Sequence, residues 1–361
     1  MYVAVGTLHQ GDGTTTRDVI LHLRAGRVVS VGSEAPPAGA SVHRFPNGQG
    51  TPGWVDAATR LGVKGGAVEA SEVLTPGLRA IDAFDAGSAA LRGVARHGVT
   101  TLGLLPAPGN VAAGRAGAAS LFGDKATISL RNGPPVFAFQ PPALTTTRIP
   151  STLAGARLLL SAALRGERWH TPAEAAVPVR DAALRRLKAL PAGPVFAYAD
   201  TPEAARTAVE VLTKKGLRPT LVGLASASDD PAAVAALKVP CIVTGLGAGS
   251  SVQRLSLPGA LSKAGATVLL SSGAPDRSAA ALRTALALAV AHGLPVKQAV
   301  RAVTGAPAKA LGLDKSVGSL KAGCEADLVV FDGDPWELTS RILLVVADGR
   351  IVVAPPAKEK P

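Results

Sequence analysis

Short alternating runs of Val, Ile and Leu stand at both ends of the chain. Residues 2–5, 19–23 and 27–31 are separated by Gly, Asp and Thr clusters, the pattern of small antiparallel strands. Arg24-Ala-Gly-Arg-Val reads as a hairpin corner. The far end repeats the pattern in Asp327-Leu-Val-Val-Phe, Leu343-Leu-Val-Val-Ala and Arg350-Ile-Val-Val, broken at Asp332-Gly and Asp348-Gly. Two such segments flanking a long middle section predict that the termini meet in one β-domain. The tail after Val353 reads as a frayed end.

From about residue 194 onward, strand and helix alternate. Val195-Phe-Ala-Tyr-Ala precedes a helix opening at Pro202, with Ala204, Ala205, Ala208, Val209 and Leu212 at helical spacing. Thr220-Leu-Val-Gly, a helix from Asp230 to Leu237, Cys241-Ile-Val-Thr, a helical stretch over 258–264 and Thr267-Val-Leu-Leu-Ser follow. Helices over 278–291 and 295–311 close the section. Strand starts near 195, 220, 241 and 267 are 25, 21 and 26 residues apart, which fits βα units on a parallel sheet. Periodicity alone admits a barrel or an open sheet. Between 110 and 190, helices near 152–164 and 181–189 are the clear features.

Composition narrows the class. The 361 residues are 47% hydrophobic and 18% charged, ample for a large core and outside the disordered range. The net charge of +12 raises the question of an anionic partner. The charge is scattered, however, with local groups at Arg185-Arg186-Leu-Lys188 and Lys214-Lys215. The 7 Phe, 3 Trp and 2 Tyr are too few for a base-stacking platform, so nucleic acid is not expected. No leader pattern opens the chain and no apolar run is long enough for a bilayer, which sets a cytoplasmic, non-membrane expectation. Cys241 and Cys324 lie far apart and signal neither a disulfide nor a thiolate zinc site.

Thr51-Pro-Gly-Trp-Val-Asp-Ala-Ala-Thr-Arg-Leu-Gly resembles the first barrel strand of the amidohydrolase superfamily, whose pattern is Pro-Gly-aliphatic-aliphatic-Asp-x-His-x-His. Gly26-Arg-Val-Val-Ser-Val-Gly is similar to the family's N-terminal hairpin, and Gly98-Val-Thr-Thr-Leu to its second barrel strand. Thr304-Gly-Ala-Pro-Ala-Lys-Ala-Leu-Gly and Gly318-Ser-Leu-Lys-Ala-Gly-Cys-Glu-Ala-Asp-Leu-Val-Val-Phe-Asp-Gly-Asp-Pro resemble its closing segment. The resemblance, of an imidazolonepropionase-like kind, implies an α/β fold: a (β/α)8 TIM-type barrel with a small β-sandwich from both termini. It divides the chain into residues 1–50 and 315–361 for the sandwich and tail, and 51–314 for the barrel. It also implies one or two divalent metals, zinc among them, activating water for hydrolysis.

A hydrolytic zinc needs about three protein ligands and an open position for water. Two His at i and i+2 on one strand point to the same side. At those positions this chain has Ala58, with no ligand atom, and Arg60, a cation. The fifth-strand His position falls on Tyr198, the sixth-strand one on Gly223 or Leu224, and the Asp position after the eighth strand on Gly273. Asp276 comes three residues late, and Lys125 is out of register as a bridging lysine. His97 and His292 precede Gly at helical ends and read as helix C-terminal residues. His9, His22 and His43 fall in the β-domain, leaving His170 as the loop-borne candidate. Asp56 reads as a local hydrogen-bonding residue, Cys241 as a small buried hydrophobe and Cys324 as a turn residue.

Thr244-Gly-Leu-Gly-Ala-Gly-Ser-Ser follows the strand matched to the seventh of the barrel. Its Gly245, Gly247, Gly249 and Ser250, with Ser271, Ser272 and nearby Arg254, form either a plain loop or an anion-binding loop. The leading expectation is an amidohydrolase-fold protein with a degenerate metal centre and no metal cofactor. It would act as a non-catalytic subunit, scaffold or binding protein, paired with an active relative or with itself, or holding a small anion. The alternative is a hydrolase of non-peptide C–N bonds with relocated chemistry on Arg60, Tyr198, Asp200, Asp276 and His170.

Overall fold

The computed structural model describes all residues except 66–68, 70–71, 170–178, 274–277, 279 and 355–361. The expected frayed tail therefore lies largely outside the described residues. The chain opens with four strands, β1 (Tyr2–His9), β2 (Thr15–Arg24), β3 (Arg27–Gly32) and β4 (Val42–Pro52). The predicted hairpin corner is present, with Ala25 and Gly26 at φ 50° and 75°, the left-handed pair of a tight two-residue turn.

The middle begins with β5 (Trp54–Thr59) and β6 (Val99–Leu104), joined by a segment with short 3-10 turns at Ala80–Ala83, Ala89–Leu91 and Ala95–His97. Next come β7 (Ala112–Arg115), β8 (Gly117–Phe122), β9 (Lys125–Leu130) and β10 (Pro135–Ala138), then α1 (Leu153–Arg165) and α2 (Asp181–Lys188). Strict alternation follows: β11 (Gly193–Ala199), α3 (Pro202–Thr213), β12 (Leu217–Gly223), α4 (Pro231–Ala235), β13 (Cys241–Thr244), α5 (Val252–Lys263) and β14 (Val268–Ser271). Helices α6 (Ala281–Ala291), α7 (Val296–Val303) and α8 (Gly305–Leu311) lead to β15 (Leu328–Phe331), β16 (Ile342–Ala347) and β17 (Arg350–Val353).

Both termini do meet in one sheet, of order β17-β16-β15-β4-β1-β2-β3. Its link is the antiparallel pairing of β15 with β4, Leu328 opposite Pro52. Alternation along β15 explains the placement. Leu328 and Val330 enter a core shared with Val3, Leu21 and Leu344, while Val329 and Phe331 enter the barrel core, where Phe331 stacks on Trp54 at 5.8 Å.

The second sheet runs β14-β13-β12-β11-β10-β7, parallel from β10 to β14. β5 pairs in parallel with β6, which continues into the antiparallel β8–β9 hairpin. Lys125 is exposed at the start of β9. Side-chain hydrogen bonds from the end of β14 to Asp56 join β14 to β5. Along β10 to β14, Val136, Ala138, Phe196, Tyr198, Val222, Ile242 and Leu269 share one apolar cluster. Phe137, Val195, Ala197, Leu221, Val243 and Leu270 pack on the opposite side. That split is what a parallel strand buried on both faces requires.

Two helical expectations need correction. The stretch over 295–311 is two helices, α7 and α8, because Thr304 leaves helical geometry at φ −131°, ψ −93°; its hydroxyl donates back to the Val300 carbonyl at 2.5 Å. The helix expected over 258–264 starts earlier, since Ser251 caps it by accepting from the Arg254 N–H at 3.2 Å and Pro258 is accommodated inside.

Candidate functional site

Strands β5 and β10 to β14 carry their C-terminal ends to one mouth. Asp56, 2% exposed, is the polar centre of the β5–β14 seam. It accepts from the Ser271 hydroxyl, the Ser272 hydroxyl, and the Ser272 N–H at 3.2 Å. Ser271 Oγ also lies 3.0 Å from the Ala58 carbonyl. Burial pushes the Asp56 carboxyl above its ordinary range, and the serine donors oppose that shift. Asp56 is a hydrogen-bonded fastener between two strands.

Tyr198 ends the inward row of β11. Its hydroxyl donates to the Pro106 carbonyl at 3.2 Å, and the Arg60 guanidinium faces the same oxygen. Burial raises the phenol to about 12 despite that cation. Asp200 follows in the next loop, half-buried, with its carboxyl raised by burial against the Ala225 N–H and Arg254. A Cβ placed on Gly223 would lie 2.8 Å from Asp200 Oδ1 and 3.7 Å from Gln140 Oε1, so both side chains reach over the end of β12. Gln140 Oε1 is buried and has no hydrogen-bond partner.

Arg254, in the first turn of α5, reaches back across the mouth. It donates to the carbonyls of Gly223 at 2.9 Å, Thr244 at 3.0 Å and Leu224. The Gly223 and Leu224 carbonyls belong to a backbone turned sharply at Gly223 (φ 103°) and Leu224 (φ 58°). One guanidinium thus ties the ends of β12 and β13 together, using its planar fork of donors. In the following loop the Gly245 N–H donates to the Ser271 carbonyl at 3.1 Å, and the Gly247 N–H to Ser250 Oγ at 3.1 Å. Of the four loop residues Gly245, Gly247, Gly249 and Ser250, three have their N–H groups bonded within the protein, Ser250 to the Gly247 carbonyl at 2.9 Å.

Residues 195–354 match the Amidohydrolase family. A 58-residue segment is 43% identical to Amidohydrolase tasK of Hapsidospora irregularis, over 16% of this chain and 6% of that relative's length. An amidohydrolase from Thermotoga maritima MSB8 superposes with a TM-score of 0.80 at 20% identity, covering 98% of this chain and 99% of that one. Molinate hydrolase superposes with a TM-score of 0.59 at 16% identity, covering 97% and 94%. These superpositions, at 20% and 16% identity, give the chain the fold of the amidohydrolase superfamily. Its fold is the TIM barrel of that superfamily with a β-sandwich built from both termini.

Amidohydrolases generally carry divalent metal, so the fit of this mouth to a metal decides much. Among the described residues, no group of three or more His, Cys, Asp or Glu could hold an ion. Each position has its own reason. Ala58 is a buried methyl in the apolar interior, and Arg60 brings a cation. Tyr198 is held protonated at neutral pH. Gly273 has φ 74°, and a Cβ there would come within 3.0 Å of the Gly245 backbone, so a carboxylate side chain has no room without a backbone shift. These residues do not fit the group.

In this chain Arg60 and Tyr198 come together, and Asp200 and Gln140 meet over Gly223. His170 and Asp276 lie outside the described residues. His97 closes a 3-10 turn before Gly98 and His292 caps α6 before Gly293, as their sequence context predicted. Cys241 is buried, with its thiol pushed up to about 12 by burial, and Cys324 is buried in a turn. Gln140 was missed by sequence reasoning. Its signal was parity: it continues the inward row Val136, Ala138 by two residues.

No helix of the described residues is long and apolar enough to cross a membrane.

Proposed function

We propose that this amidohydrolase-fold chain works as a binding or partner protein and not as a metal hydrolase. The observation that carries the reading is Asp56. The one acidic residue kept from the family's first-strand motif is engaged by the Ser271 and Ser272 groups that join β14 to β5 and by the backbone of Ala58. Ala58, Arg60, Tyr198 and Gly273 supply no ligand around it. The partner would be an active relative or a second copy of this chain, or the ligand a small anion facing Arg60.

A panel of amide, cyclic amide and ester substrates, assayed with added zinc and separately with chelator, tests this. The reading predicts no turnover above the Asp56→Asn variant in either condition. Zinc-dependent turnover would overturn it. A second reading is favoured by the convergence of Asp200 and the unpartnered Gln140 Oε1 over Gly223. There a relocated hydrolase would use Asp200 or Tyr198 as acid or base and Arg60 as anion binder. It requires chelator-resistant turnover that is lost in Arg60→Ala and Tyr198→Phe.

A further inference from the structure

The opposite end of the barrel holds a cavity of about 670 Å³ under the N-terminal ends of β11, β12, β13 and β14 and against α8. Leu217, Pro219, Val239, Pro240, Leu269 and Ala306 supply apolar wall. Four cations, Arg218, Lys238, Arg301 and Lys309, line it, and no Asp or Glu does. Among the described residues none of the four is in an ion pair, although carboxylates elsewhere meet Lys64, Arg79, Arg165, Arg168 and Arg341 within 3 Å.

Arg301 and Lys309 lie in the last turns of α7 and α8, where cations complement the carbonyl ends of helices. Arg218 is on a strand and Lys238 follows α4, so helix ends do not account for the cluster. Thr220, 4% exposed, stands among the lining residues with a hydroxyl beside these cations.

The cavity is the size of a small-molecule site, and its combination of apolar wall and unpaired cations selects an amphiphilic anion. We propose that the barrel floor binds a phosphorylated small molecule of nucleotide size. Its phosphates lie against Arg218, Lys238, Arg301 and Lys309, its apolar body lies on the Leu217–Pro219 wall, and Thr220 supplies a hydroxyl hydrogen bond. The site is independent of whatever the mouth does, and it gives the +12 charge one local focus.

Calorimetric titration of the full chain at low salt, with ATP, adenosine and inorganic tripolyphosphate as probes, tests the proposal. ATP is expected to bind at least tenfold tighter than either part alone. Arg218→Ala/Lys309→Ala should weaken ATP at least tenfold without lowering the ligand-free melting temperature, and Thr220→Val should weaken it several-fold. Arg157→Ala/Arg185→Ala, which removes the same charge from exposed helix positions, should leave binding unchanged. The proposal is overturned if ATP does not bind, if tripolyphosphate binds as well as ATP, or if the two double variants behave alike.

Discussion

The two ends of the barrel differ in how their polar groups are used. At the mouth, Asp56 is held by Ser271 and Ser272, Arg254 by three carbonyls, and Tyr198 by Pro106 and Arg60. At the floor, Arg218, Lys238, Arg301 and Lys309 share a cavity with no carboxylate. A barrel normally does its chemistry at the C-terminal ends of its strands. Here much of that end's bonding capacity goes into holding strands together, with Gln140 Oε1 left unpartnered, and four cations without an ion pair among the described residues stand at the other end. Polar residues at a family's active-site positions can therefore be structural while binding potential collects elsewhere.

The contrast predicts large stability effects at the mouth and small ones at the floor. Asp56→Leu strands the Ser271 and Ser272 donors in the core and should cost about 3 kcal/mol in urea unfolding. A cost below about 1 kcal/mol would mean that Asp56 is not a fastener. Arg254→Met leaves three mouth carbonyls without their donor and should cost about 2 kcal/mol.

An effect of comparable size comes from the seam between sandwich and barrel. Burial raises the Asp327 carboxyl to about 7, with Glu325 and Asp348 adding to the shift and the Asp348 N–H, donating at 2.8 Å, opposing it. The folded state then binds the proton more tightly than the unfolded state, whose carboxyl has the ordinary value of 3.8. This contribution is complete below pH 4 and is lost as pH rises toward 7. Stability should fall by about 2 kcal/mol between pH 5 and pH 7, and Asp327→Asn should flatten that slope. A slope unchanged in the variant would remove Asp327 as its cause. The smallest effect belongs to the floor. Arg218→Ala without ligand should change stability by no more than about 0.5 kcal/mol, with any gain shrinking as salt is added. A loss as large as that of Arg254→Met would erase the distinction between the two ends.

Much of the fold was legible because both sources of pattern were strong. Leu328-Val329-Val330-Phe331 alternates between two cores, and the strands near 195, 220, 241 and 267 recur at βα spacing. The antiparallel strands β7, β8 and β9 were not legible. Ala112–Arg115 and Gly117–Phe122 are rich in Gly and Ala, whose hydrophobic contrast is too weak to show a period of two. At the mouth, Ala58, Arg60, Tyr198 and Gly273 were singled out by the resemblance to the amidohydrolase motif. The Asp56–Ser271–Ser272 fastener was not, because it joins residues more than two hundred positions apart. The floor was also hidden: Arg218, Lys238, Arg301 and Lys309 are scattered in sequence and meet where strand starts and helix ends converge.

Zinc titration of the purified full chain, read by elemental analysis after dialysis, bears most directly on the mouth. The account predicts no stoichiometric zinc in the wild-type protein and no difference between it and Asp56→Asn. One zinc per chain, lost in Asp56→Asn, would contradict it.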